Sequence, residues 1–223
     1  MPPTLVLTRP AAQSRALAAE FEALARVVIS PVMEIVGTGA SVNMAGVAGV
    51  ILTSANAVPF APDLSGFGVY CVGERTAEAA RLAGADVRLV AENADELVAR
   101  IKASGPLLHL RGAHTRGDIA ERLSSAGIET HSTVVYRQEA KRLSSGAKAL
   151  IEGDHAVVLP LFSPRSAALV GAGLSRVGPR VSVIAISPAV AESWSAETGG
   201  SAEVCAHPTA TAMREKIAGK LRG

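Results

Sequence analysis

Aromatic side chains are scarce in this chain of 223 residues: two Tyr, four Phe and one Trp, 3% of the sequence. So thin a supply offers few rings for stacking nucleic-acid bases and few partners for the isoalloxazine ring of FMN. Cysteine is scarcer still. Cys71 and Cys205 fall in apolar, strand-like segments, spaced for neither metal nor redox chemistry, and read as buried reduced thiols suited to a reducing cytoplasm. Runs of one charge are also missing. The 22 basic residues form no run longer than the Lys141-Arg142 pair and the net charge is +2, so neither nucleic acid nor a membrane surface is an expected partner. No uninterrupted apolar stretch approaches the roughly 20 residues of a membrane helix. The start, MPPTLVLTRP, has no basic n-region and no long apolar h-region. The expectation is a soluble, cytoplasmic protein. There is no P-loop and no GxGxxG fingerprint, which disfavours nucleotides. The five histidines, at 109, 114, 131, 155 and 207, show no i,i+4 pair and no metal-ligand spacing. Each reads as structural or solvent-facing.

What the chain has in quantity is Val, Leu, Ile and Ala, within a hydrophobic content of 48%. An aliphatic core of that kind suits parallel sheets covered by helices. Short apolar runs alternate with Ala/Leu/Glu/Arg segments, the pattern of βαβ units. Strands are predicted near 4–8, 27–30, 49–53, 68–72, 86–90, 106–110, 128–136, 155–161, 181–186 and 202–206. Helices are predicted at 11–25, 75–83, 94–103, 115–125, 164–173, 188–197 and 209–221. So many strands exceed an ordinary open sheet, and two units of about five strands, each of flavodoxin-like size, fit better. Two extended stretches, SPVMEIV (30–36) and HSTVVYR (131–137), break the rhythm where the chain would leave one lobe and return. The expected fold is therefore α/β, with two flavodoxin-like lobes of parallel sheet flanked by helices. Residues 1–33 and 138–223 would form the first lobe, 37–130 the second, and 31–36 and 131–137 two linker strands.

Strand after strand ends in a small hydroxylated or glycine turn. LPLFSPRSAALV (159–170), ILTSANAV (51–58), VYCVGERTAEAA (69–80) and VIAISPAVAESW (183–194) share this grammar. Ser163-Pro164 and Ser187-Pro188 match a Ser N-cap followed by Pro at the first helical position. Capping alone accounts for any one such turn. Their placement adds a second reading: in parallel α/β sheets they gather at the carboxyl edge, where ligands bind. Free N–H groups and the helix dipole make each a modest anion site. Two lobes presenting several of them would suit a ligand with many carboxylates or phosphates.

LTRP (7–10), SPVMEI (30–35), ILTSANAV (51–58), VGERTAEAARLAGADV (72–87), LLHLRG (107–112), VVYRQ (134–138), FSPRSA (162–167) and AISPAVAESW (185–194) occur in an order that resembles the uroporphyrinogen-III synthase family. The resemblance spans nearly the whole chain. It implies a lyase that cyclises hydroxymethylbilane to uroporphyrinogen III, with inversion of the last pyrrole ring and loss of water, in heme biosynthesis. It implies two α/β lobes on a two-stranded linker and no metal or organic cofactor. The partners it implies are the tetrapyrrole itself and, transiently, the preceding bilane-forming enzyme; a monomer is expected.

Through that resemblance Tyr136 is the catalytic candidate, placed to hydrogen-bond the departing hydroxyl; the alternative is a tyrosine packing the linker. Thr76 matches a position near the cleft, against the alternative of a first-turn helix residue. Arg9 ends the first strand and suits a bidentate carboxylate contact, against a surface pair with a nearby acid. Thr53, Ser54, Asn56, Gly73, Ser163 and Ser187 are binding candidates for their backbone position, and Arg111 and Gly112 are weaker ones. One departure stands out: after Ser187-Pro188 the family often carries threonines, whereas this chain has Ala189 and Val190. A different class of reading is a two-lobed binding or regulatory module closing on an anionic metabolite without converting it.

Overall fold

The structure, a computed structural model, describes residues 3–114 and 117–223. From the N-terminus come β1 (Thr4–Leu7), α1 (Ala11–Ala18), β2 (Val27–Ile29) and β3 (Met33–Gly37). Next are β4 (Gly49–Leu52), a 3₁₀ helix (Ala55–Phe60), β5 (Gly68–Val72), α2 (Glu74–Leu82), β6 (Asp86–Ala91), α3 (Ala94–Arg100), β7 (Leu107–Gly112), α4 (Ile119–Ser125) and β8 (Thr130–Ala140). The chain ends with α5 (Ser145–Glu152), β9 (Val157–Leu161), α6 (Pro164–Ala172), β10 (Val181–Ala185), α7 (Pro188–Thr198), β11 (Glu203–Val204) and α8 (Ala210–Arg222). It divides into two compact units, Met1–Glu34 with Glu139–Gly223, and Ile35–Gln138.

The first sheet runs β11-β10-β9-β1-β2, and its pairings are parallel. Numbered by appearance within the unit, that is the 2-1-3-4-5 order of flavodoxin. The second runs β3-β8-β7-β4-β5-β6. Its strands from β4 to β8, numbered the same way, stand in the order 3-2-1-4-5, that of the first five strands of the classic dinucleotide-binding sheet, so this unit has the other common doubly wound order rather than the flavodoxin one. Both extended stretches, β3 and β8, belong to this second sheet.

Strand alternation builds the layers. In the first sheet Val6, Val157, Leu159, Leu161, Val183 and Ala185 face α5, α6 and α7 through Ile151, Val170 and Trp194. Leu5, Leu7, Val158 and Ile184 face α1 and α8 through Leu17, Met213 and Ile217. In the second, Val50, Leu52, Val69, Cys71, Leu108 and Leu110 pack on the 3₁₀ helix and α2. Ile51, Tyr70 and Leu107 pack on α3 and α4 through Leu97, Ile119 and Leu123. Strands buried on both faces explain the unbroken apolar runs of the sequence.

Some elements differ from the sequence expectation. The helix predicted over 11–25 ends at Ala18 and loosens into turns, with the N–H groups of Phe21 and Leu24 bonding three residues back to Ala18 and Phe21. The buried Phe21 and Ala25 preserve the helical spacing behind the longer expectation. The helix predicted from 115 begins at Ile119, after Asp118 in the left-handed region (φ 36°); Thr115 and Arg116 lie outside the described residues. Helix α5 is absent from the sequence expectation because its Gly146 and short length weaken the local signal, and burial of Ala147 and Ile151 supplies what propensity does not.

Candidate functional site

In open α/β sheets ligands bind outside the carboxyl ends of the strands where the order reverses. In the first unit those strands are β1 and β9. Their exits are Arg9 and Phe162-Ser163, and the Arg9 guanidinium lies 4.2 Å from the centre of the Phe162 ring. This cation–π contact holds the guanidinium over the ring at the strand exit. Ser14 Oγ donates to the Arg9 carbonyl (2.8 Å), which ties the loop to the first turn of α1. Ser163 caps α6: its Oγ accepts the Ser166 N–H (3.1 Å) and its hydroxyl donates to Ser166 Oγ (2.8 Å). Ser187, after β10, holds the cap position of α7 with Pro188 behind it, yet makes no side-chain cap bond. The two Ser-Pro turns, alike in sequence, thus differ in how the hydroxyl is used.

In the second unit the order reverses between β4 and β7. Thr53 leaves β4 with its Oγ1 3.2 Å from His109 Nε2 on β7. Ser54 Oγ accepts the Asn56 N–H (3.2 Å) and opens the 3₁₀ helix. Gly73, between β5 and α2, has φ 80°, a conformation that calls for glycine, and no atom lies within 4 Å of where a Cβ would stand. Its carbonyl accepts the N–H of Thr76 and of Ala77. Thr76 is 5% exposed, so the first-turn packing role is real and only an edge of the side chain reaches the surface.

A cavity of about 570 Å³ opens beside the carboxyl end of β7, lined by His109, Arg111, His114, Asp118 and Ser132 among others. Arg111 Nε donates to Ser132 Oγ (3.4 Å) and Nη1 to the Gly112 carbonyl (3.2 Å). His109 is 3% exposed; burial first, and then the positive charge of Arg111, pulls its pKa down to about 4. It is a neutral imidazole at physiological pH, able to hold Thr53 but poorly suited to carry charge. Among the described residues no three His, Cys, Asp or Glu side chains are grouped to hold a metal ion. Burial pushes the Cys71 thiol up to about 11, so it is no thiolate nucleophile.

Tyr136 lies on β8 with its ring in the core of the second unit, 5% exposed. It stacks on Phe60 at 6.4 Å between centroids and 23° between planes. Across the strand pair stands Gly112, where a Cβ would come within 2.5 Å of the ring carbon bearing the hydroxyl. Gly112 therefore makes room for Tyr136, a role beyond the turn position that the sequence offers for it. Phe60, Phe162 and His109 are not among the candidates read from the sequence. Phe162 carries a signal, a rare aromatic at a strand exit; Phe60 carries none, since its partner is distant in sequence.

A model of the family described as uroporphyrinogen-III synthase HemD matches residues 15–215. No curated protein matches the chain by sequence. The fold is similar to that of uroporphyrinogen-III synthetase from Helicobacter pylori, at 17% identity and a TM-score of 0.67 over 97% of this chain and 98% of that one. A mutant uroporphyrinogen III synthase from Thermus thermophilus is similar at 15% identity and a TM-score of 0.54, covering 99% of each chain. With a match across most of its length and the order of turns just described, the chain belongs to the uroporphyrinogen-III synthase family.

Proposed function

We propose that this member of the family cyclises hydroxymethylbilane to uroporphyrinogen III chiefly by positioning, with strand-end turns holding the carboxylates and Tyr136 at the departing hydroxyl. The observation that carries this reading is the coincidence, in each unit, of candidate turns with the point of strand-order reversal: Arg9 and Ser163 in one, Thr53 and Ser54 in the other. The substrate carries four acetates and four propionates. Backbone N–H groups at helix starts, with Arg9 and Arg111, suit such a load of anions.

The chemistry asks for little more. The lone pair of an electron-rich pyrrole expels the hydroxymethyl oxygen, which leaves as water on taking a proton. Tyr136 Oη donates that proton, or a hydrogen bond in its direction. Ring closure at the substituted carbon of the last ring gives the spirocyclic pyrrolenine, whose rearrangement inverts that ring. The proton lost from carbon as aromaticity returns restores the tyrosine. Free bilane also closes by itself, to the symmetrical isomer I, so the enzyme's contribution is geometry, a term worth up to roughly 7–11 kcal/mol where reacting groups are well aligned.

In this reading the chain works as a cytoplasmic monomer and receives the bilane from the enzyme that forms it. A described surface on which only Leu24 and Leu82 stand out as exposed large apolar side chains supports the monomer. Among the described residues no helix is long and apolar enough to cross a membrane. Incubation with a bilane-generating system and identification of the product isomer is the test. Isomer III is expected; dominance of isomer I overturns the reading.

A further inference from the structure

Tyr136 owes its place to a bulge beside it in β8 and to residues far from it in sequence. The β7–β8 register pairs Arg111 with Val134 but Gly112 with Tyr136, so Val135 is an extra residue in β8. Such a bulge turns one side chain out of strict alternation. The consequence is visible in the core, where the consecutive Val135 and Tyr136 share one face of the sheet. The bulge is pinned from both sides: Ala113 N–H donates to the Tyr136 carbonyl (2.9 Å), and Thr38 N–H donates to the Val135 carbonyl (3.0 Å). Thr38 Oγ1 donates to the Val134 carbonyl (2.7 Å).

The ring that the bulge redirects then meets a slot cut by glycines. A Cβ on Gly112 would lie 2.5 Å from Tyr136 Cζ and 2.8 Å from its hydroxyl oxygen. A Cβ on Gly37, in β3, would lie 2.8 Å from Cδ1 of Phe60. The stacked pair is thus flanked by bare backbone at both rings, in a chain with few aromatics to spend on such a pair. Gly112 thus clears the space that Tyr136 fills, and Gly37 clears it for the Phe60 ring stacked on Tyr136.

We propose that Phe60, Gly112 and Gly37, with the bulge at Val135, are positioning residues that fix where the Tyr136 hydroxyl stands relative to the hydroxymethyl group of the bilane. The inference rests on Tyr136 acting at that group. Displacing the hydroxyl by about 1 Å is expected to slow the chemical step by up to roughly a hundredfold while leaving carboxylate binding alone.

The test is a set of full-length variants assayed for kcat, KM and isomer ratio, with near-ultraviolet circular dichroism and melting temperature as checks on folding. Gly112→Ala and Phe60→Leu are each expected to lower kcat roughly 10- to 100-fold with KM changed less than about threefold. Phe60→Tyr keeps the stacked face and is expected to stay within about threefold of the parent. Combined with Tyr136→Phe, Phe60→Leu should add little, since both changes act on one hydroxyl. If Tyr136→Phe is slow but Phe60→Leu and Gly112→Ala keep the parent kcat, the positioning proposal is overturned and the role of Tyr136 stands. If Tyr136→Phe itself keeps the parent kcat, the underlying reading fails and this inference with it. If Phe60→Leu costs the same factor in the parent and in the Tyr136→Phe background, Phe60 acts through something other than the hydroxyl, and the proposal is wrong.

Discussion

Replacing Tyr136 by Phe leaves the stacked ring and the core unchanged and removes one hydroxyl. Turnover should fall roughly 10- to 1000-fold, the range for one positioned acid partly replaced by water, with the melting temperature held; steady-state kinetics on enzymatically generated bilane reads this out. Arg9→Ala and Thr76→Ala should each cost less, because the remaining amides still hold carboxylates. Adding charge is a sharper probe of the turns. Asp is as good an N-cap as Ser, so Ser163→Asp and Ser54→Asp should fold, yet they place a negative charge where carboxylates bind. Activity is expected to fall in both, and two fully active variants would remove the helix-start binding scheme. His109 has a different signature. Folded, it stays neutral down to about pH 4, whereas the unfolded chain takes up its proton near the ordinary value of 6.5. Between those limits the unfolded state binds more protons, so stability falls as pH drops from about 6.5 to about 4 and is untouched above that window. The loss is on the order of 3 kcal/mol at the acid end. His109→Gln should flatten this part of the profile of urea midpoint against pH.

At the scale of the element, the two Ser-Pro helix starts make a controlled pair within one unit. Ser163 accepts the Ser166 N–H, whereas Ser187 makes no cap bond. Ser163→Ala should therefore destabilise the protein by about 1 kcal/mol, and Ser187→Ala by no more than a few tenths; urea denaturation of both variants checks it. The sequence presents these turns as equals. Their cap backbones are alike (φ −153°, ψ 151° against φ −152°, ψ 163°), and what separates them is the neighbour at the third position, Ser166, whose hydroxyl accepts from Ser163, in one and Val190 in the other. The same limit applies to α5. Ser144 caps it through the Ala147 N–H (3.3 Å), a signal present in the sequence, but Gly146 obscures it and packing decides. Conversely, β4, β5 and β9 are legible at once, since a run of buried aliphatic residues between turn residues has few other outcomes in an α/β chain.

For the whole molecule, the second unit is continuous in sequence and has hydrophobic clusters on both faces of its sheet. A fragment covering 33–140 keeps β3 and β8 whole and is expected to fold by itself, with a single cooperative urea transition and a slope of about 1–2 kcal/mol/M. A non-cooperative transition would mean that its core needs the rest of the chain.

The sequence by itself determined the α/β class, the carboxyl-edge turns and most candidate residues at those turns, because strand burial, helix capping and glycine at positive φ are local demands that each residue meets or fails alone. Strand order, the reversal points and the Arg9–Phe162 and Thr53–His109 contacts were decided by the tertiary structure. So was the packing of Gly112 and Phe60 against Tyr136, with Gly37 against Phe60. Each joins residues tens of positions apart, and one extra residue in β8 sets which face a side chain takes. No local propensity encodes that choice; it follows from the register in which the strands pair.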